Sequence, residues 1–220
     1  MIEDARNLPQ GALLKADLCI LGGGAAAIAL AVEYIKSGHT VILVPGGGPS
    51  QTADGIDLYR GSVSPQGSHE PLEENRLRMW GGTTTVWGGR CVPFDPIDFQ
   101  ERPWIPDVGW PIKYEDVQEY VARATELSEA GEAVFDARVA FPDTHPEIIR
   151  GFDDGRIVSW PLERWSIPTN FAKRYSGELE QSPHVRVLLH SHGIHLQLDA
   201  EGRSVTHVVA ACDPNRQFRI

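Results

Sequence analysis

Residues 17–44 read "DLCILGGGAAAIALAVEYIKSGHTVILV", and few stretches limit a fold more tightly. "DLCIL" is a short apolar run that stops at glycines, the mark of a buried strand. Ala25 to Ser37 is rich in helix formers, and Gly38 supplies a C-terminal stop. "TVILV" (40–44) is a second, β-branched run ended by Pro45. Strand, glycine turn, helix and strand within about thirty residues make a βαβ unit, and hence a parallel sheet. Gly22, Gly24 and Ala27 fit G-x-G-x-x-[G/A]. The first glycine allows a tight turn, the second lets a pyrophosphate approach the backbone, and the small third residue lets helix and strand pack closely. The open N–H groups of the helix that starts at Ala25, Ala26 and Ala27 then favour an anion. The second strand of such a unit should end in Asp or Glu, which accepts the ribose hydroxyls. Pro45 stands there instead. The ribose is then held by water and by backbone of Gly46 and Gly47, or the adenosine end binds weakly.

The remainder of the 220 residues divides by composition. Residues 46–75 are turn-rich and polar, and read as an excursion or lid. Residues 92–112 hold five prolines and cannot stay regular for long. The spacing of Tyr114, Val117, Tyr120, Val121 and Leu127 predicts one amphipathic helix over 113–131. Residues 132–156 read as irregular, 156–166 as containing a strand, and 169–182 as a helix capped by Thr169 or Asn170. Strands are expected at 185–190, 194–199 and 204–212, with "QFRI" opening another. The formal net charge of −10 excludes nucleic acid and anionic membrane surfaces as partners, since both need a basic face. Three widely spaced cysteines, Cys19, Cys91 and Cys212, give neither a disulfide framework nor a metal pair. No signal peptide and no membrane span are legible, so a cytoplasmic location is expected.

"RMWGGTTTVWGG" (78–89) is crowded with special-purpose residues. Glycines let main-chain N–H groups approach a ligand, threonines add hydroxyls, and tryptophans can wall a ring or fill a core. Together with "DLCILGGGAAAIALA" (17–31), "RLRMWGGTTTVWGGRCVPFDPIDF" (76–99), "ERPWIPDVGWPI" (101–112) and "WSIPTNFAKRYSGEL" (165–179), it resembles the glucose–methanol–choline (GMC) family of flavoprotein oxidoreductases. The branch with pyranose oxidases and the fructose dehydrogenase flavin subunit is the most similar. The resemblance implies an α/β fold: a Rossmann-like FAD-binding domain, incomplete in this chain, with the start of an inserted α+β substrate domain. It divides the chain into 1–95, 96–183 and 184–220, the last a β-meander of the FAD domain.

The resemblance also implies FAD as cofactor, with Gly81, Gly82, Thr83, Thr84 and Thr85 along the pyrophosphate and flavin. Trp87 would wall the ring, Gly88 and Gly89 would leave room beside flavin N5, and Gly193 would lie near the adenosine. Trp80 fits either a flavin wall or a core aromatic. Arg78 and Arg90 fit a charge partner for pyrophosphate or reduced flavin, and equally a structural ion pair. Several pyranose-oxidase-like members bind FAD covalently through a histidine in this loop. Val86 holds that position, so the flavin here should be non-covalent.

The family's catalytic histidine lies far toward the C-terminus, outside this sequence. None of the eight histidines carries a catalytic motif. In "HSHGIH", His190 and His192 are expected on one strand face, without a third metal ligand. The expected reaction is oxidation of an alcohol carbon, of a sugar or glycoside by branch similarity, to a carbonyl. The expected partner is a second polypeptide carrying the C-terminal half of the fold, with a small-molecule alcohol or sugar as substrate. An FAD-containing lyase and a non-catalytic assembly subunit are the alternatives, and an NAD enzyme would leave the Gly-Gly-Thr-Thr loop without a role. A sheet lacking strands should also leave unpaired edges and bare apolar faces, and so a poorly soluble chain.

Overall fold

The computed structural model describes residues 1–104, 109–144, 151, 155 and 157–220. Two compact units are present, one from Met1–Val86 with Asn170–Ile220 and the other from Trp87–Thr169. These borders differ from 95/96 and 183/184. The helix expected at 169–182 packs in the first unit, because its apolar stripe needs the parallel sheet to cover it.

The first unit holds β1 (Ile2–Asp4), β2 (Leu18–Leu21), α1 (Ala25–Tyr34), β3 (Val41–Val44), α2 (Ala53–Asp57), α3 (Phe171–Gln181), β4 (Val185–Leu189), β5 (His192–Leu198), β6 (Val205–Asp213) and β7 (Arg216–Arg219). The strand–helix–strand run at 18–44 is as the sequence predicts. A four-stranded, all-parallel sheet has the order β1-β4-β3-β2. β3 is central and buried along its whole length, which is why "VILV" is apolar at every position rather than alternating. In register with Val185 and Val187 of β4, Val41 and Leu43 face one side, while Ile42 and Val44 face the other.

α1 and α3 cover the first side, packing on each other and on the strands. Phe171, Tyr175 and Leu179 recur every four residues and are buried, forming one stripe of α3. Leu179 has no exposed surface, and burying such a side chain stabilises by about 1.5–3 kcal/mol. The helix starts at Asn170, whose Oδ1 accepts from Lys173 N at 3.0 Å. Asn170→Ala should therefore cost about 1 kcal/mol, read as a lower urea midpoint at unchanged slope.

The opposite side is covered by the antiparallel meander β5-β6-β7. Ile42, Val44 and Leu188 meet Ala210 and Phe218 there, with Ala5 beside them. "QFRI" forms β7, the third strand of this meander, and its outer edge is occupied. Gly11 N and Leu14 N donate to Gln217 O and Arg219 O, each at 2.8 Å. The bare sheet faces expected from the sequence are thus absent among the described residues: both sides of the parallel sheet are covered. Exposed apolar side chains include Leu21 at the end of β2, Leu30 on α1, Ile194 and Leu196 on β5, and several in the second unit.

The second unit contains a two-stranded antiparallel pair, Arg90–Cys91 with Arg164–Trp165, and short helices at Tyr114–Gln118, Val121–Leu127 and Ala137–Ala140. The single helix expected over 113–131 is broken at residues 119–120. Tyr120 N reaches back only three residues, to Val117 O at 3.0 Å, so the turn tightens before the ladder restarts with Ala124 N on Tyr120 O. The strand expected within 156–166 reduces to Arg164–Trp165. Pro161 offers no N–H, and a single bridge joins it to Asp136. Parts of the Pro-Trp run (105–108) and of the irregular stretch (145–150, 152–154, 156) lie outside the described residues. A cavity of about 380 Å³ in this unit is lined by aromatic and aliphatic groups such as Phe94, Tyr114, Val117 and Phe135. Among the described residues no helix is long and apolar enough to cross a membrane.

Candidate functional site

At the C-terminal end of the parallel sheet four chain segments converge on a cleft of about 440 Å³. They are Leu21–Gly24 after β2, Val44–Gly46 after β3, the 76–83 crossing, and His192–Gly193 at the start of β5. Such a crevice is where open α/β sheets bind ligands. Backbone hydrogen bonds lock the segments: Gly22 N to Val44 O at 2.9 Å, Gly46 N to Ser191 O at 2.8 Å, Trp80 N to Gly48 O at 2.8 Å and Gly81 N to Gly23 O at 2.8 Å.

One end of the cleft is the N-terminus of α1. Its cap is Gly24, which makes no side-chain capping bond. The first helical bond runs from Ile28 N to Gly24 O, so the N–H groups of Ala25, Ala26 and Ala27 precede the ladder. Most helices satisfy such groups with a Ser, Thr, Asp or Asn cap. Here they stay available to an anion. A Cβ added at Gly24 would meet nothing within 4 Å. Ala27 Cβ lies 3.8 Å from the position a Cβ would take at Gly22, so a larger residue at 27 would crowd the turn.

The other end is cationic. The Arg78 guanidinium stacks 4.8 Å from the centre of the Tyr59 ring. Its Nη1 donates to His192 Nδ1 at 3.0 Å, and its Nε is buried without a partner. Arg76 also lines the cleft, and among the described residues no Asp or Glu does. Accepting from Arg78 places the His192 proton on Nε2. Burial, the Arg78 charge and His190 hold His192 below its ordinary pKa. The sign follows. The unfolded chain takes up this proton near pH 6.5 and the folded one only at lower pH, so this contribution to stability is lost as pH falls below about 6.5. His192→Gln should flatten that portion of the profile, measured as urea midpoints at about pH 7.5 and 5.5.

No protein-family model matches the sequence, and no curated protein matches it. Solved structures do match. Pyridoxine 4-oxidase from Mesorbium loti superposes with a TM-score of 0.56 at 15% identity, over 94% of this chain and 48% of that one. An FAD-dependent oxidoreductase from Chaetomium thermophilum superposes with a TM-score of 0.57 at 14% identity, over 94% and 44%. The chain shares their fold. It spans less than half the length of either.

The structure separates the residues singled out in the sequence. Gly22, Gly24, Gly46, Arg78, Gly82, Thr83 and Gly193 line the cleft, and the helix that opens at Ala25, Ala26 and Ala27 ends on it. Gly82 has a φ of 53°, and a Cβ there would lie 2.9 Å from Gly24 Cα. Only glycine allows this loop to sit on the α1 cap. Four of the residues singled out have their polar groups engaged within the protein. Trp80 is buried in the core, the second of its two readings, where its Nε1 donates to Ser176 Oγ at 2.9 Å. Gly81 is buried and its N–H is spent on Gly23. The Thr84 hydroxyl is committed too, donating to Gly81 O at 2.6 Å and accepting from Phe171 N at 3.2 Å. Thr85 donates to Gly82 O at 2.8 Å, which leaves exposed Thr83 as the hydroxyl that lines the cleft.

Trp87, Gly88 and Gly89 belong to the second unit. There Trp87 Nε1 donates to Thr169 O at 3.0 Å, and Gly89 packs against the Ser166 carbonyl. Arg90 Nε is paired with Glu163 at 2.8 Å, an exposed ion pair rather than a free cation. "HSH" is not one strand, because His190 takes a left-handed φ of 59° between β4 and β5. Its ring lies against Gly48, whereas His192 meets Arg78. Among the described residues no group of three or more His, Cys, Asp or Glu could hold a metal ion. Tyr59 and Arg76 are cleft residues that sequence reasoning missed. Tyr59 sits within the stretch read as a lid, where no motif marks it, and Arg76 opens the quoted 76–99 stretch without a role assigned to it.

Proposed function

We propose that this chain supplies the FAD-binding part of a GMC-type oxidoreductase. It acts on an alcohol carbon, with sugars and glycosides as the favoured class, and holds FAD non-covalently. The observation that carries this reading is the uncapped N-terminus of α1, whose cap Gly24 borders a cleft lined, among the described residues, by two arginines and no carboxylate, in a chain of net charge −10. A diphosphate is the complementary ligand. The cleft volume suits the ADP half of a dinucleotide, within the range of small-molecule sites. The shared fold with an FAD-dependent oxidoreductase favours a flavin over a nicotinamide.

In this reading the chain's own residues bind and orient. Ala25, Ala26 and Ala27 offer main-chain donors to the phosphates, Thr83 offers a hydroxyl, and Arg78 offers charge at the opposite, adenosine end of the cleft. When bound, FAD supplies the hydride acceptor for the alcohol carbon. A general base must take the hydroxyl proton. We assign that base to the C-terminal half of the fold, whether continuous with this chain or carried on a second polypeptide. The Rossmann-like character of the first unit and the substrate-binding role of the second are parts of the same proposal.

The test is an absorbance experiment on the protein purified together with whatever completes it. Anaerobic addition of an alcohol or sugar should bleach the visible absorbance of the bound flavin as it takes up hydride. Flavin that is bound but never bleached would turn the assignment to the lyase alternative.

A further inference from the structure

The dinucleotide reading leaves the adenosine end unexplained. In this architecture a carboxylate at the end of the second strand accepts the 2′-hydroxyl of the ribose. Here Val44 ends β3 and Pro45 follows, its ring packed on Gly23, where an added Cβ would come within 2.5 Å of Pro45 Cβ. Two residues after the strand, the nearest cleft group is a cation. Arg78 Nη1 lies 2.9 Å from the position a Cβ would take at Gly46, and 3.0 Å from His192 Nδ1. The guanidinium therefore bridges the end of β3 and the start of β5, where the ribose of a bound adenosine would sit.

Three features mark it as an anion receptor rather than a structural ion pair. No carboxylate pairs with it among the described residues, its Nε is buried and unpartnered, and Arg76 is the only other charged side chain to line the cleft beside it. A guanidinium placed over Tyr59, with Nη1 fixed by His192, is pre-organised to meet phosphate oxygens through its remaining Nη donors. A neutral ribose hydroxyl would use little of that capacity.

We infer that the cleft binds a 2′-phosphorylated adenosine, with Arg78 as the residue that selects the 2′-phosphate, so that such nucleotides compete with the ADP half of the flavin. This rests on the dinucleotide reading of the cleft. It adds a ligand class that the flavin assignment does not require.

Adenosine 2′,5′-bisphosphate and AMP serve as probes, titrated calorimetrically into the purified protein at low ionic strength and again in the presence of FAD. The expected result is a dissociation constant at least about tenfold lower for the bisphosphate, as one charge-assisted contact supplies. Competition with FAD and a preference that shrinks with salt are expected as well. In Arg78→Met, which keeps the stem over Tyr59, the two probes should bind within about twofold of each other. Equal binding of both probes to the wild-type protein overturns the inference and leaves the dinucleotide cleft standing. A preference that survives in Arg78→Met overturns the role of Arg78. Failure of both probes to bind overturns the dinucleotide reading itself, and this inference with it.

Discussion

Gly24→Asp should abolish nucleotide binding without weakening the fold. Gly24 is the α1 cap, with extended backbone (φ −88°, ψ −170°) that any residue adopts, and with open space where a side chain would go. Aspartate there can accept from the α1 N–H groups and stabilise the helix by a few tenths of a kcal/mol. The same carboxylate would occupy the place of the phosphates. Like charges brought together in a cleft cost several kcal/mol, and each 1.4 kcal/mol is tenfold, so FAD affinity should fall by about a hundredfold or more. Circular dichroism melts and flavin-quenching titrations of one sample read both effects. A variant that binds FAD normally would move the phosphates away from α1.

Gly47→Ala should do the reverse and damage the fold first. The Cβ would overlap the Arg78 carbonyl oxygen, and would lie 2.8 Å from the Arg78 carbonyl carbon and 3.0 Å from Met79 Cα. These are backbone atoms, held by the Trp80 N to Gly48 O bond, and no rotamer change relieves the contact. Overpacking of this kind costs about 3 kcal/mol, at the upper end of its usual range. For a chain of this length the melting temperature should drop by roughly 6–12 °C. The cleft would be lost along with the crossing of 78–80 over 46–48. A melting temperature within a degree or two of wild type would mean that this crossing is not as tight as described.

The fold was legible where a single period or motif dominated. The run from Leu18 to Val44 declared its strands and helix, because a β-branched apolar run, an alanine-rich segment and punctuating glycines all point the same way. Thr169 and Asn170 marked the start of α3 through their capping chemistry, and the structure gives the cap to Asn170. The break at 119–120 was not legible, since Tyr120 and Val121 continue the apolar spacing and only the hydrogen-bond ladder shows the tightened turn. The loop at 78–89 was half legible. Its glycines read as room for a ligand to approach the backbone, whereas at Gly82 the close neighbour that the structure shows is Gly24. Nothing in the letters says which threonine hydroxyl is free, because Thr84 is consumed by Phe171 N, eighty-seven residues away. Trp80 likewise reads as a ring wall or a core residue until Ser176 is placed beside it. Arg78 and Tyr59 gather at the end of β3 through tertiary structure alone.

The most direct test of the whole account is a titration of the purified protein with FAD, followed by acid denaturation. Saturable quenching of flavin fluorescence at one equivalent, abolished in Gly24→Asp and followed by release of free FAD into the acid supernatant, is the predicted result. A folded protein that leaves flavin fluorescence unchanged at every concentration would contradict the cofactor assignment. Flavin that remains attached after denaturation would contradict the non-covalent reading based on Val86.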